Sequence, residues 1–209
     1  MSSDKGQLIV ISAPSGAGKT SIIKNVIKKL NDENIKSTFS VSHTTRLPRD
    51  GDIDGSDYFF VSNEIFDELY EAGNFIETAE VHDYKYGTSK DFIDENINKG
   101  INVFLEIDVQ GFQKLQNRNI EFRSIFILPP SIEELRKRIQ KRGLDSEDVI
   151  KKRMKNALKE LGEAEEYDYL VINDVFEQAI EELLEIVINK DFKDQMHDKK
   201  LKILQDLLS

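Results

Sequence analysis

Nine residues near the start of the chain, Ser12-Ala13-Pro14-Ser15-Gly16-Ala17-Gly18-Lys19-Thr20, combine the residue types that hold a phosphate. They fit the pattern G-x-x-x-x-G-K-[ST], except that Ala13 stands where the first glycine would be. Gly16 and Gly18 allow successive backbone N–H groups to turn inward around an anion. A helix starting just after such a loop directs its positive end at the same charge. Lys19 is then placed to bridge the β- and γ-phosphates of a nucleoside triphosphate, and the Thr20 hydroxyl to reach Mg²⁺. An alanine at position 13 costs little if its φ stays negative. The pattern predicts nucleotide binding at residues 13–20 but does not distinguish one NTPase or kinase from another.

A second concentration of chemistry lies between Arg136 and Lys155. Nine basic residues face only three acids there, a net of +6 on a chain of −10, so the remainder carries −16. A basic patch on an acidic protein suggests a specific small anionic ligand. Its lysines (Lys137, Lys141, Lys151, Lys152 and Lys155) read as solvated charges on helix faces. The overall acidity argues against broad binding to nucleic acid or to an acidic membrane. There are no cysteines, which excludes disulfides, thiol catalysis and thiolate metal sites. His43, His82 and His197 are too far apart for metal-ligand spacing and are assigned no chemical role. The first residues lack an apolar signal region and no run of 18 apolar residues exists, so a soluble, cytoplasmic protein is expected.

These groups must be positioned by alternating strands and helices. Leu8–Ile11 reads as a buried strand, and Ile22, Ile23, Val26, Ile27 and Leu30 as one face of a helix. Further strands are expected at 39–42, 58–61, 75–77, 103–108, 124–128 and 170–173. Helices are expected at about 64–72, 90–98 (stopped by Gly100), 146–163 and around Ile180–Val187. Ser131 with Glu134 three residues on is a capping-box signature for one more. The tail 201–208 reads as a short amphipathic helix, docked on the chain's own core or, alternatively, on a partner chain. Strands alternating with helices of crossover length predict an α/β fold with a mostly parallel sheet covered on both faces. Two segments break the alternation: about 43–87, polar and aromatic, and about 136–160, the basic stretch.

Taken together, the phosphate loop, Val41-Ser42-His43-Thr44-Thr45-Arg46-Leu47-Pro48-Arg49 and Gly55-Ser56-Asp57-Tyr58 resemble guanylate kinase of bacterial type. So do Phe75-Ile76-Glu77, Tyr86-Gly87-Thr88, Glu106-Ile107-Asp108-Val109-Gln110-Gly111, Ile127-Leu128-Pro129-Pro130-Ser131 and Val171-Ile172-Asn173-Asp174. They occur in the family's order and spacing over about residues 7–189. The resemblance implies a P-loop NTPase-type sheet flanked by helices, with a core at 1–42, 88–135 and 161–209, a GMP-binding lobe at 43–87 and a lid at 136–160. It implies transfer of the γ-phosphoryl group of ATP to GMP with Mg²⁺, the metal being reached by Thr20.

The resemblance also implies roles for single residues. Ala13, Pro14, Ser15, Gly16, Ala17, Gly18, Lys19 and Thr20 would hold ATP, with Asn173 where adenine lies. Arg46, Arg49, Tyr58 and Tyr86 would hold the GMP phosphate, and Ser42, Glu77, Thr88 and Asp108 would face guanine. Lys19, Arg46 and the lid-side Arg138, Arg142 and Arg153 would stabilise the transferring group. Arginine forks suit phosphate, and phosphoryl transfer needs positioning and charge more than a covalent nucleophile. Read as residues alone, Tyr58 is a core aromatic, and only the motif turns it into a ligand residue; Thr88 reads as a helix N-cap, a role compatible with ligand contact. Glu77 on an apolar strand is harder to explain structurally, because a buried carboxylate without a partner is costly. Glu106 departs from the family's usual Asp. A non-catalytic protein-interaction module of the same fold is the alternative, and the intact loop argues against it. A kinase of this fold acting on another phosphorylated substrate is a third reading, opposed by the presence of both Ser42 and Glu77.

Overall fold

In the computed structural model, which describes residues 5–81, 83–141, 146–189 and 191–208, the chain divides into two compact units. One comprises residues 1–8 and 35–122, the other residues 9–34 and 123–209. The expected lobe at 43–87 falls inside the first and the expected lid at 136–160 inside the second.

In the first unit, β2 (Ser37–Phe39) runs parallel to β7 (Asn102–Glu106), with Ser37 opposite Asn102. Gln7 joins the same ladder. Its carbonyl accepts from the Val103 N–H at 2.8 Å, and its N–H donates to Asn102 Oδ1 at 3.0 Å. The helix α3 (Lys90–Asn98) packs on β7. It is capped by Ser89, which accepts from the Phe92 N–H, and is stopped where Gly100 turns left-handed at φ 75°. A second sheet has the order β4-β3-β6-β5, from β3 (His43–Thr44), β4 (Phe59–Phe60), β5 (Phe75–Val81) and β6 (Tyr84–Ser89). The β5–β6 and β3–β6 pairs are antiparallel, and β3–β4 is parallel. Between β4 and β5 lies α2 (Asn63–Glu71), and after β7 comes α4 (Val109–Gln116), which packs on β5.

In the second unit, β1 (Leu8–Ser12), β8 (Arg123–Leu128) and β9 (Tyr169–Ile172) are parallel neighbours in that order. All five residues of β1 are buried, as the apolar run requires. The helix α1 (Lys19–Asp32) buries Ile22, Ile23, Val26 and Leu30 and packs on α7 (Phe176–Ile188). Then α5 (Ile132–Lys141) packs on α6 (Glu147–Leu161), and α8 (His197–Leu208) lies on β9 and α6. The pairings give the expected α/β fold, a mostly parallel sheet flanked by helices. Among the described residues no helix is long and apolar enough to cross a membrane.

Sequence and structure part in a few places. The strand expected at 39–42 forms earlier, at 37–39, and the one expected at 103–108 ends at Glu106, because Asp108 turns to cap α4. Neither α4 nor β6 was expected. The stripe of α4 is thin (Phe112 and Leu115 beside Gly111), and β6 contains no aliphatic residue, so its pairing with β5 defines it. Thr88 is not the N-cap of α3: its neighbour Ser89 caps, and Thr88 remains in β6.

The tail docks on its own chain. Leu204 and Leu207 are buried, and Lys200, itself 4% exposed, places its ammonium on Glu182 of α7 and at 2.7 Å from Asp194. Removing a buried charge from such a cluster strands its partners. Lys200→Ala should therefore lower unfolding stability by about 3 kcal/mol in urea titrations; a loss under about 0.5 kcal/mol would show that the cluster does not hold α8.

Candidate active site

The loop 13–18 joins β1 to α1 within the second unit. Gly16 and Gly18 have φ of 97° and 88°, the left-handed region that a Cβ opposes. Neither position has space for one: at Gly16 it would lie 3.0 Å from Ile139 Cγ1, and at Gly18 2.7 Å from Asn173 Nδ2. Ala13, by contrast, is absent from the left-handed residues, so its substitution for glycine is tolerated as expected. Gly18 is the N-cap of α1 and contributes no capping side chain, so the first-turn N–H groups remain oriented toward the loop. Lys19 and Thr20 open the helix, Lys19 half-buried and Thr20 exposed.

Asn173, just past β9 and 5% exposed, braces this loop. Its Nδ2 donates to the Ala17 carbonyl at 2.6 Å, and its own carbonyl accepts from Arg138 Nη1 at 3.1 Å. Arg138 on α5 also donates through Nε to Glu134 at 2.8 Å. The capping box is therefore half made: the Glu134 N–H donates to Ser131 Oγ at 3.1 Å, while its carboxylate serves Arg138. From α6, Arg153 Nη2 lies 3.3 Å from Ser15 Oγ. The structure thus brings Ser15, Ala17, Asn173, Arg138 and Arg153 together around the loop. Arg142 lies outside the described residues, as does His82.

The first unit holds the remaining candidates. Glu77 on β5 is 4% exposed, and Thr88, directly opposite on β6 and fully buried, donates its hydroxyl to Glu77 Oε1 at 2.6 Å. The costly carboxylate therefore has a partner. Gly111 makes room beside it, since a Cβ there would sit 3.0 Å from Glu77 Oε2. Asp108 caps α4 by accepting from the Gly111 N–H at 2.8 Å. Burial pushes the Glu77 carboxyl up. The Thr88 bond opposes that shift, the charge of Asp108 adds to it, and Lys114 and Arg118 oppose it. Ser42 is half-buried, and its carbonyl accepts from the Phe59 N–H.

Arg46 is 8% exposed, with its guanidinium 5.2 Å from the Tyr58 ring centre and 5.5 Å from that of Phe60. Nη1 donates to the Leu47 carbonyl at 3.0 Å, and Nη2 lies 2.9 Å from Asp52 Oδ2. Burial works against this charge, but the Asp52 bond and charge outweigh it and the pKa is raised. Tyr58 meets Tyr86 edge-on at 5.7 Å. Burial pushes the Tyr58 phenol up, with further increments from Tyr86 and from Glu106, so Glu106 stands within electrostatic reach of this cluster. Arg49 is exposed. Sequence reasoning missed Asp52, the room Gly111 leaves beside Glu77, the Glu134–Arg138 pair and the bracing role of Asn173. For Asp52 a signal was available: an acid directly after a Gly, three residues beyond the second of two candidate phosphate arginines.

His43, given no role, is stacked on Phe59 at 4.9 Å and tilted against Phe75 at 5.5 Å, which reads as packing. Among the described residues no group of three or more His, Cys, Asp or Glu is arranged to hold a metal ion.

Comparisons with known proteins point to one family. A family model described as guanylate kinase matches residues 5–190. Guanylate kinase of Caldanaerobacter subterraneus subsp. tengcongensis is 47% identical over 203 residues, 97% of each chain. That of Escherichia coli (strain K12) is 44% identical over 209 residues, covering 97% of this chain and 99% of the relative. A crystal structure of guanylate kinase from Anaplasma phagocytophilum superimposes with a TM-score of 0.70 at 31% identity, covering 97% of this chain and 95% of that one.

The raised Glu77 pKa has a thermodynamic sign. Folding favours the protonated form, so between the unfolded value and the raised one the native state holds a proton that the unfolded chain has lost. Stability therefore falls as pH rises through that window. Glu77→Gln keeps an acceptor for Thr88 without the charge. It should raise Tm at pH 7 by a few degrees, with the gain vanishing as pH falls toward about 4.3. Calorimetry at pH 4.5, 6 and 7.5 checks this, and a Tm lowered equally at all three would contradict it.

Proposed function

This chain belongs to the guanylate kinase family, and we propose that it transfers the γ-phosphoryl group of ATP to GMP, giving ADP and GDP, through the two groups of residues described above. The observation that carries the reading is the buried Glu77 carboxylate braced by Thr88. Guanine donates side by side from N1–H and its 2-amino group, and a carboxylate can accept both. Adenine has an unprotonated N1 and a 6-amino group, and would face Glu77 with an acceptor. Ser42, Thr88 and Asp108 complete the guanine side in this proposal, and Arg46, Arg49, Tyr58 and Tyr86 hold the GMP phosphate.

On the ATP side, backbone N–H groups of the loop 13–18 cradle the phosphates, apart from Pro14, which has none, and Ala17, which donates to the Pro14 carbonyl; Lys19 lies between β and γ. Arg138 and Arg153, with Arg142, neutralise charge that develops as the phosphoryl group passes between oxygens. Asn173 keeps the loop in shape and is proposed to lie beside adenine. No covalent intermediate is required: positioning and charge suffice.

Mg²⁺ fits the donors present. This ion is held by one or two protein oxygens and otherwise by phosphate oxygens and water, and the exposed Thr20 hydroxyl at the start of α1 is such an oxygen. When bound, the ion would neutralise phosphate charge. The cytoplasm, where both nucleotides reside, is the proposed compartment. The apolar face of α8 is already buried on its own chain, which favours activity within a single chain over a homo-oligomer assembled through the tail. A non-catalytic interaction module is not favoured, because Gly16, Gly18, Lys19 and Thr20 are all in place.

An ADP-release assay across GMP, dGMP, AMP, CMP and UMP tests the reading; strong preference for GMP is expected, and equal use of AMP would overturn it. Lys19→Ala should leave the melting curve intact and reduce turnover by ~100-fold or more, whereas near-full turnover would remove Lys19 from the site. Glu77→Gln should reduce kcat/KM for GMP by ~10–100-fold more than for AMP, since one of two charged acceptors becomes a donor. An unchanged GMP-to-AMP ratio would exclude Glu77 from base recognition.

A further inference from the structure

We propose that Asp52 is a positioning residue for the phosphate of GMP, a single carboxylate oxygen that sets both phosphate arginines; the inference rests on the GMP reading above. Gly51, at φ 91°, allows the chain to turn back between Arg49 and Asp52. The turn closes reciprocally: the Asp52 N–H donates to the Arg49 carbonyl at 3.0 Å, and the Arg49 N–H donates to Asp52 Oδ2 at 2.7 Å. That same oxygen lies 2.9 Å from Arg46 Nη2. Asp52 therefore fixes Arg49 through its backbone and Arg46 through its side chain.

The geometry leaves the Arg46 fork usable. A guanidinium has five N–H donors. One from Nη1 goes to the Leu47 carbonyl and one from Nη2 to Asp52, while the Tyr58 and Phe60 rings lie near the guanidinium carbon. Three donors remain in a plane that is already set. A side chain held this way loses little further freedom when it meets a phosphate. The opposite role is also physically coherent: a carboxylate beside the site could repel the phosphate, and its loss would then tighten binding. The double use of Oδ2 favours positioning, because a repelling group needs no bond to either arginine.

The experiment is calorimetric titration of GMP and of guanosine, which lacks the phosphate, into the full chain and its Asp52→Ala, Asp52→Asn and Asp52→Glu variants, with melting curves to verify the fold. Asp52→Ala should raise Kd for GMP by ~10–100-fold, the scale of a lost charge-assisted hydrogen bond. Guanosine affinity should change by less than about twofold. Asp52→Asn should be intermediate, since it keeps an oxygen for the Arg49 N–H, and Asp52→Glu should recover part of the loss. If Asp52→Ala does not fold, the Asn and Glu variants decide by the same comparison. Equal losses for GMP and guanosine, or GMP binding unchanged or tightened, would overturn the role of Asp52. A wild-type chain that binds GMP no better than guanosine would instead overturn the phosphate site itself, and Asp52's role with it.

Discussion

A loop proposed to aim several N–H groups at one anion must curl where side chains cannot follow, and the second unit is organised around that constraint. Gly16 and Gly18 are left-handed, and the space a Cβ would need is already taken by Ile139 and Asn173. Those neighbours come from α5 and from the end of β9, and the latter also holds the Ala17 carbonyl. The loop is therefore held by two stretches of sequence distant from its own. Preorganised donors of this kind are worth most in catalysis, because they need no reorganisation when charge develops.

The first unit meets the converse problem, that of burying charge within protein. Glu77 and Arg46 are both more than nine-tenths buried. Each receives enough hydrogen bonding to persist, but not enough to be saturated. Thr88 occupies one carboxylate oxygen of Glu77, and burial still raises its pKa. In the proposed site such a carboxylate suits a ligand that brings two N–H donors.

Much of this was legible in the residues. The loop declared itself because phosphate chemistry restricts residue types over a short contiguous span. The fold class followed from strand and helix patterns that agree with their burial, as in β1 and α1. What escaped reading depends on partners distant in sequence. The β6 strand has no apolar signature and exists through its pairing with β5, and Thr88 was ambiguous until that register set it against Glu77. Asn173 was expected beside adenine, yet its contact with Ala17 spans 156 positions and no local pattern encodes it. Asp52 was overlooked for a different reason: its place after Gly51 and close behind two arginines marks a turn, but that one of its oxygens serves both arginines emerges only from the fold.

The arginines themselves divide into two kinds, and the division follows from burial. Arg46 is fastened by Asp52 and lies close to two aromatic rings, with 8% of its surface exposed; moving it would take a mostly buried guanidinium from its partner. Arg138 is 25% exposed and its partner Glu134 36%, so their ion pair is solvated and worth little. Arg153 holds Ser15 through a long 3.3 Å contact with an exposed hydroxyl. Exchanging the Arg153 contact for a phosphate oxygen replaces a neutral acceptor with a charged one, and for Arg138 it replaces one charged acceptor, the partly exposed Glu134 carboxylate, with another. In the proposed reaction a fixed arginine suits a substrate phosphate whose position must be defined before chemistry. The more solvent-exposed arginines suit charge that appears only during transfer, because exposed ion pairs are exchanged at little cost.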